Sequence, residues 1–177
     1  MKTNEQYDRV AEACRELFLK KMQDYGTAWR ILRPSSITDQ IYIKARRIRT
    51  IEETKVQKVG DDIHSEYIGI LNYAVMGVIQ NQLHPSEEDM ASEEVLQLYN
   101  SVVETAKKLM LNKNHDYGEA WRNMRTSSYT DLILMKIRRI KQIEDHQGQT
   151  IASEGIDANY LDIINYSVFA LIKIRPQ

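Results

Sequence analysis

Apolar residues recur along the chain at the three- or four-residue spacing of helices that bury one face. In the first such stretch, about 4–22, the apolar positions are Tyr7, Val10, Cys14, Leu17 and Phe18. The predicted helices lie at about 4–22, 37–54, 62–81, 93–113, 129–146 and 155–174. No segment alternates convincingly at period two, which is the mark of a half-buried strand. The pattern therefore predicts an all-α protein.

The six predicted helices form two similar sets of three. Residues 24–54 and 116–146 are identical at 18 of 31 positions at an offset of 92. Farther along the offset becomes 93, where 66–79 matches 159–172. We predict repeat 1 at 1–83, a polar linker at 84–91 and repeat 2 at 92–177. Three helices alone bury little, so the repeats should pack as one pseudo-twofold helical bundle.

Composition narrows the class of protein. The formal net charge of −1 argues against a strongly basic nucleic-acid binder. The single Cys14 excludes an internal disulfide and a cysteine-based zinc cluster, and it fits a reducing compartment. No apolar run reaches the length of a membrane span. We therefore expect a cytoplasmic protein without a membrane partner; whether it forms a homo-oligomer stays open.

The DYG sequence recurs after the first helix of each repeat. Gly26 and Gly118 are predicted to end those helices with positive φ. Asp24 and Asp116 then lie near a helix C-terminus, where the dipole disfavours a carboxylate, so they either serve function or cap the next short helix. The segments that begin at Ser36 and Ser128 resemble capping boxes for the second helices.

Aromatic and basic residues follow DYG at matching positions. Trp29 and Trp121 either anchor the core or stack on a nucleobase. On the second helices, basic residues flank the apolar stripe, where they could meet a phosphate or simply face water. They are Lys44, Arg47, Lys136 and Arg139.

Polar residues interrupt the apolar third helices. Asn72 and Asn165 are either buried residues that fix helix register or parts of a ligand site. In repeat 2, Asp162 and Glu154 lie on the face of Asn165, which suggests a Mg²⁺ or polar-ligand site.

The acids of the third helices do not repeat strictly. Asp162 corresponds to Gly69, and Glu66 corresponds to Asn159. Either one repeat is active or the two complete a composite site. Because repeat 2 alone has Asp162, we expect it to keep the better-preserved site.

Each repeat carries a motif of the form KxxDYGxxW, followed by KxxRI and then by a segment like NYxxxxLI. This order of motifs resembles a bacterial and phage family of unknown function, which is also called nucleotide modification associated domain 1. The resemblance covers almost the whole chain twice and implies a helical fold and a nucleotide context. In repeat 1 the matching residues are Lys21, Asp24, Tyr25, Gly26, Trp29, Lys44, Arg47, Asn72 and Tyr73. In repeat 2 they are Lys113, Asp116, Tyr117, Gly118, Trp121, Lys136, Arg139, Asp162, Asn165 and Tyr166.

A weaker similarity runs to the all-α nucleoside triphosphate pyrophosphohydrolases of the MazG and dimeric dUTPase type. Those enzymes hold Mg²⁺ on an ExxE helix and an ExxD helix. Here the first helices offer Glu12 and Glu16 in one repeat but Glu104 and Lys108 in the other. Most of the carboxylate cage is therefore missing or displaced.

Three functions stay open. The first is a Mg²⁺-dependent nucleotide hydrolase or modifying enzyme, in which Asp24, Asp116 and Asp162 are catalytic and Glu154 shares the metal with Asp162. In this enzyme, the other residues that match the family pattern would bind the nucleotide, including Lys21, Tyr25, Lys113 and Tyr117. The second is a non-catalytic helical module for a nucleotide or a partner protein. The third is a scaffold whose repeated motif encodes packing alone.

Overall fold

The computed structural model describes residues 2–58, 60, 62–151 and 154–175. Within these residues the chain is helical and contains no strand, as predicted. Repeat 1 contributes α1 (Lys2–Tyr25), a 3₁₀ helix (Ala28–Ile31), α2 (Pro34–Thr54) and α3 (Ile63–Leu83). Repeat 2 contributes α4 (Ser92–Tyr117), a 3₁₀ helix (Ala120–Asn123), α5 (Thr126–Asp145) and α6 (Ile156–Ile174).

The two repeats pack around their third helices. α3 and α6 contact each other at the centre, α2 packs on α3, and α5 packs on α6. α2 also contacts α5, and α1 contacts α4. These contacts between the repeats join equivalent helices, and the contact of α1 with α6 is matched by the contact of α4 with α3. This is the pattern of a pseudo-twofold bundle, and the core runs continuously through both repeats.

Two buried asparagines join the repeats by equivalent hydrogen bonds. Asn72 Nδ2 donates to the backbone oxygen of Cys14 at 3.2 Å, and its Oδ1 accepts from the Tyr99 hydroxyl of repeat 2 at 2.7 Å. Asn165 Nδ2 donates to Ala106 O at 2.9 Å, and its Oδ1 accepts from the Tyr7 hydroxyl of repeat 1 at 2.8 Å. The expectation that both amides are buried and hydrogen-bonded is confirmed.

The third helices also hold the 3₁₀ helices in place. Gln80 Nε2 donates to the backbone oxygens of Arg30 at 2.8 Å and Leu32 at 2.6 Å. Lys173, its counterpart in α6, donates to the backbone oxygen of Arg122 at 2.8 Å. Backbone groups that would otherwise lack partners at the end of each short helix are thereby satisfied, and the tryptophan before each arginine is fixed.

The linker lies against the first 3₁₀ helix. The backbone N–H of Ser86 donates to Arg30 O at 2.8 Å, and that of Met90 donates to Thr27 Oγ1 at 2.9 Å.

No α-helix among the described residues is long and apolar enough to cross a membrane.

The turn predictions had mixed outcomes. Gly26 and Gly118 have φ of 59° and 62° after α1 and α4, as expected. The capping boxes are wrong, because α2 begins at Pro34 and α5 at Thr126, one residue after an arginine that makes no side-chain cap. A proline fits the first helical turn, so α2 begins before the serine.

The alternative that Asp24 and Asp116 cap the short helices is also wrong. Thr27 and Glu119 occupy the N-cap positions, and neither helix has a side-chain cap hydrogen bond. The aspartates precede the glycine turn and are exposed.

The paired asparagine contacts predict that Tyr99→Phe and Tyr7→Phe destabilise the protein to a similar extent. Each change leaves a buried amide oxygen without a donor, which costs about 1–3 kcal/mol. Urea unfolding should measure the loss, with Tyr42→Phe, at an exposed tyrosine, as the control. A loss below about 0.5 kcal/mol in both variants would show that the network does not hold the repeats together.

The buried thiol predicts a simple chemical test. Cys14 is fully buried, and burial raises the pKa of its thiol to about 12. Since the thiolate is the reactive form, iodoacetamide at pH 8 should modify the folded protein at least about a thousandfold more slowly than the protein in urea. Intact-mass spectrometry would follow the reaction. Rapid alkylation under native conditions would place Cys14 in a loosely packed region.

Candidate functional site

A cavity of about 680 Å³ opens in repeat 1 between the end of α1, the first 3₁₀ helix, α2 and α3. Its wall combines basic, aromatic and small residues. Among the residues lining this first cavity are Lys21, Trp29, Lys44, Glu66, Gly69 and Tyr73. All but Glu66 and Gly69 are candidate positions or members of the family pattern.

Among the described residues, no carboxylate lies within hydrogen-bonding distance of either lysine of the first cavity. Lys21 makes no ion pair with any residue that the structure describes. Lys44 Nζ lies 3.8 Å from Glu66 Oε1, beyond hydrogen-bonding distance, and Arg47 Nη1 lies 3.4 Å from the same oxygen. Glu66 is therefore shared between two cations, and both lysines retain capacity to bind an added anion.

Gly69 makes room for one of these lysines. A Cβ added at Gly69 would lie 3.0 Å from Lys44 Cε and 3.2 Å from Lys44 Nζ. The lysine stem thus passes directly over the glycine backbone. Lys44 Nζ also lies 5.9 Å from the centroid of the Tyr73 ring, close enough for a cation–π contact.

Aromatic rings form another part of the wall. Trp29 is half-buried, with its ring edge-on to Phe18 at a centroid distance of 6.1 Å. Tyr25 of the DYG turn is 73% exposed and also lines the cavity, as does Met76. A ligand here would meet both a cationic end and an aromatic surface.

In repeat 2 the equivalent lysines are both bound to a carboxylate. Asp162, buried in α6, accepts from Lys113 Nζ at 2.9 Å and from Lys136 Nζ at 2.8 Å. Burial alone would lower the pKa of Lys113, but the hydrogen bond and charge of Asp162 outweigh it, and the pKa is raised. The Lys136 side chain is only 9% exposed, so Asp162 is its compensating charge.

Repeat 2 also stacks its own ring on tryptophan. Trp121 is buried and lies against Phe169 at 4.3 Å with an interplanar angle of 8°, and the Arg122 guanidinium lies 4.4 Å from the indole centroid. At an offset of 93, Phe169 corresponds to Met76 of the first cavity. The tryptophan of repeat 2 is therefore a core residue, whereas that of repeat 1 borders the cavity.

A second, wider cavity of about 1220 Å³ lies at the end of α5. Lys136, Arg139, Glu154 and Asn159 contribute to its wall, and Arg139 and Glu154 are exposed. Its lining includes neither Asp162 nor a tryptophan, so it is not the counterpart of the first cavity.

The predicted catalytic acids do not come together. Asp24 and Asp116 are exposed and line neither cavity; Asp116 Oδ1 lies 3.2 Å from His115 Nδ1. Among the described residues there is no group of three or more His, Cys, Asp and Glu side chains suited to a metal ion. Because both Asp162 oxygens accept from lysines, the metal role of Asp162 and Glu154 stays a prediction.

The candidate ligand residues are better grouped, and they are grouped in the repeat that we did not favour. Lys21, Tyr25, Trp29, Lys44 and Asn72 all line the first cavity. Arg47 contacts it indirectly through Glu66. Tyr117, the counterpart of Tyr25, is 75% exposed and lines neither cavity.

Gly69 was not among the predicted site residues. The signal was present in the sequence, because Gly69 corresponds to Asp162. The sequence comparison treats the difference as an acid missing from repeat 1, whereas in the fold the glycine makes room for the end of the Lys44 side chain.

The fold and cavity define an all-α tandem repeat with one polar, aromatic-lined cavity in its first half. The chain matches the family nucleotide modification associated domain 1 over residues 21–81 and 113–174, and it belongs to this family. The similarity to MazG-type pyrophosphohydrolases finds no support in the comparisons. No curated protein and no solved structure matched the chain.

The lysine pair predicts that Asp162→Asn destabilises the protein by about 3 kcal/mol, because it leaves a buried ammonium without its carboxylate. Lys113→Met should cost less, since Lys113 is half exposed and Lys136 still compensates Asp162. Urea unfolding at neutral pH measures both. With its raised pKa, Lys113 contributes at neutral pH, and this contribution is lost as the pH rises through that pKa. Equal, small losses would contradict this account of the pair.

Proposed function

We propose that the protein binds a nucleotide in the first cavity, with phosphate oxygens on Lys21 and Lys44 and the base against Trp29 and Tyr25. The observation that carries the proposal is a pair of lysines beside an aromatic wall: within the described part of the chain Lys21 has no ion-pair partner, and Lys44 shares Glu66 with Arg47. Membership of a family described as nucleotide modification associated supports the same ligand class.

The size and chemistry of the cavity suit such a ligand. Small-molecule sites commonly have volumes of about 300–1,000 Å³ and combine apolar walls with a few placed polar groups. The first cavity, at about 680 Å³, falls within that range. Lysine ammonium groups bind phosphate as point charges, and aromatic faces accept any base.

Binding is better supported than hydrolysis. Glu66 is the one acid among the described residues that line the first cavity, and it already faces Lys44 and Arg47. A pyrophosphohydrolase of the carboxylate-cage kind needs several acids to hold Mg²⁺ and orient water. We therefore propose metal-independent nucleotide binding, through which the protein would deliver, sense or retain a nucleotide for other enzymes.

A thermal-shift screen with nucleoside mono-, di- and triphosphates, with and without Mg²⁺, tests the proposal. We expect stabilisation by at least one nucleotide without metal. Stabilisation or phosphate release that requires Mg²⁺ would favour the hydrolase instead. If no nucleotide raises Tm at millimolar concentration, the scaffold function gains support.

Variants locate the site. Lys21→Met and Lys44→Met should each weaken binding of the best nucleotide about tenfold, the loss of roughly one charge-assisted contact. Lys20→Met is the matched control, because Lys20 is an exposed neighbour on α1 that does not line the cavity. Calorimetry that finds equal losses for Lys20 and Lys21 would indicate nonspecific attraction only.

Tryptophan fluorescence separates the two repeats. In Trp121→Phe the remaining indole is Trp29, and nucleotide binding should quench it strongly. In Trp29→Phe the remaining indole is stacked on Phe169, so the same titration should change its emission little. The reverse result would place the base in repeat 2.

A further inference from the structure

We infer that repeat 2 contains a latent oxyanion site that Asp162 keeps closed. Its carboxylate binds Lys113 and Lys136, whereas the corresponding lysines of repeat 1 have no oxygen at hydrogen-bonding distance within the described residues and are left to the phosphate of a ligand. This extends the proposed function, because it applies the same lysine pair to the other half of the molecule. The ligand class is a small oxyanion such as a phosphate or pyrophosphate group.

Three equivalent positions carry the inference. At the repeat offsets, Lys113 corresponds to Lys21, Lys136 to Lys44, and Asp162 to Gly69. In repeat 2 both ammonium groups lie within 2.9 Å of one carboxylate. In repeat 1 the third position has no side chain, and neither lysine has an oxygen at hydrogen-bonding distance within the described residues.

A carboxylate can stand in for a phosphate here. Both present oxygens with a negative charge, and lysine recognises each as a point charge. The Asp162 oxygens bridge Lys113 and Lys136 with one oxygen on each. Lys21 and Lys44 both line the first cavity, and we expect a phosphate there to place one of its oxygens on each of them.

The side chain at position 69 should therefore decide whether the first site is open. An aspartate there would begin with a Cβ 3.0–3.2 Å from the end of the Lys44 side chain, and that flexible end can move aside. Gly69→Asp would then place a carboxylate beside the lysines and close the site. Asp162→Ala would do the opposite in repeat 2 without introducing a glycine into α6.

In Asp162→Ala, the aromatic half of the latent site is still occupied by Phe169. Phe169 lies on Trp121 where repeat 1 has Met76 beside Trp29. Removing the carboxylate therefore opens a position for the oxyanion alone. The probe is inorganic pyrophosphate, which needs no room for a base.

The experiment is titration calorimetry with pyrophosphate on four proteins. We expect one site per chain in the wild type, two in Asp162→Ala, none in Gly69→Asp and one in the double variant. Glu94→Ala removes an exposed acid at the start of α4 and controls for net charge. Adding Lys113→Met to Asp162→Ala should abolish the gained site.

Stability provides a second readout that does not depend on counting sites. Asp162→Ala leaves Lys136 uncompensated, so pyrophosphate should raise the Tm of this variant more than that of the wild type. This holds even if the variant is only partly folded without ligand. If pyrophosphate adds no site and no Tm increase to Asp162→Ala, the inference is overturned.

The outcomes also separate this inference from the proposed function. If the wild type binds no pyrophosphate but Asp162→Ala binds one, the latent site stands and the open site of repeat 1 fails. If Gly69→Asp remains folded and binds as the wild type does, the equivalence of Gly69 and Asp162 is overturned. A gain in Glu94→Ala equal to that in Asp162→Ala would reduce the effect to net charge and also overturn it.

Discussion

The arrangement of the molecule depends on a pair of buried amides that each require a partner from both repeats. Asn72 and Asn165 each donate to the first helix of their own repeat and accept from a tyrosine of the other. A buried amide without its partners is costly, so sliding or rotating one repeat against the other would break both sets of bonds together. A second buried contact, between the Tyr67 hydroxyl of repeat 1 and Thr130 Oγ1 of repeat 2 at 2.5 Å, adds to this constraint on the register. The same hydrogen bonds therefore determine both the fold of each repeat and how the repeats are joined.

Because that frame is symmetric, side chains at equivalent positions meet equivalent surroundings, and small substitutions produce interpretable differences. The second-helix lysines, Lys44 and Lys136, each form an ion pair with an acid of the third helix of their own repeat. The glycine at position 69 lets the end of the Lys44 side chain lie over the α3 backbone, whereas the aspartate at position 162 forms ion pairs with both lysines of repeat 2. The residues beside the tryptophans also differ between the repeats. The phenyl ring of Phe169 stacks on Trp121, whereas the corresponding residue of repeat 1 is Met76. In repeat 2 the tryptophan and the second-helix lysine are therefore packed and paired inside the protein, whereas Trp29 and Lys44 of repeat 1 border a cavity.

Much of the fold could be predicted from the sequence, because helical periodicity, the glycine turn and the internal repeat are local or nearly local signals. The helix starts were missed where Pro34, and Thr126 at the matching position, begin the helix ahead of the serine. The site was harder, since its meaning depends on side chains from different helices. From its position on α6 alone, the Asp162 carboxylate is available to a metal. In the folded chain, Lys113 and Lys136 both donate hydrogen bonds to that carboxylate. Periodicity places a residue on a face but does not show which cations that face will meet.

The contrast between the repeats also bears on how strongly the site proposed in repeat 1 would bind an anion. The Lys136 side chain is buried and requires a compensating charge, whereas Lys44 is partly exposed and tolerates a weaker one. In repeat 2 the compensating charge is Asp162, which accepts a hydrogen bond from each lysine. In repeat 1 the compensation is partial, because Glu66 is shared by Lys44 and Arg47 and lies beyond hydrogen-bonding distance from Lys44. Glu66 thus holds Lys44 over Gly69 without saturating it, which lowers the cost of ordering that side chain when an anion arrives. An acid closer to Lys44 would compete with the ligand, and the absence of any acid would leave the lysine free to turn toward water.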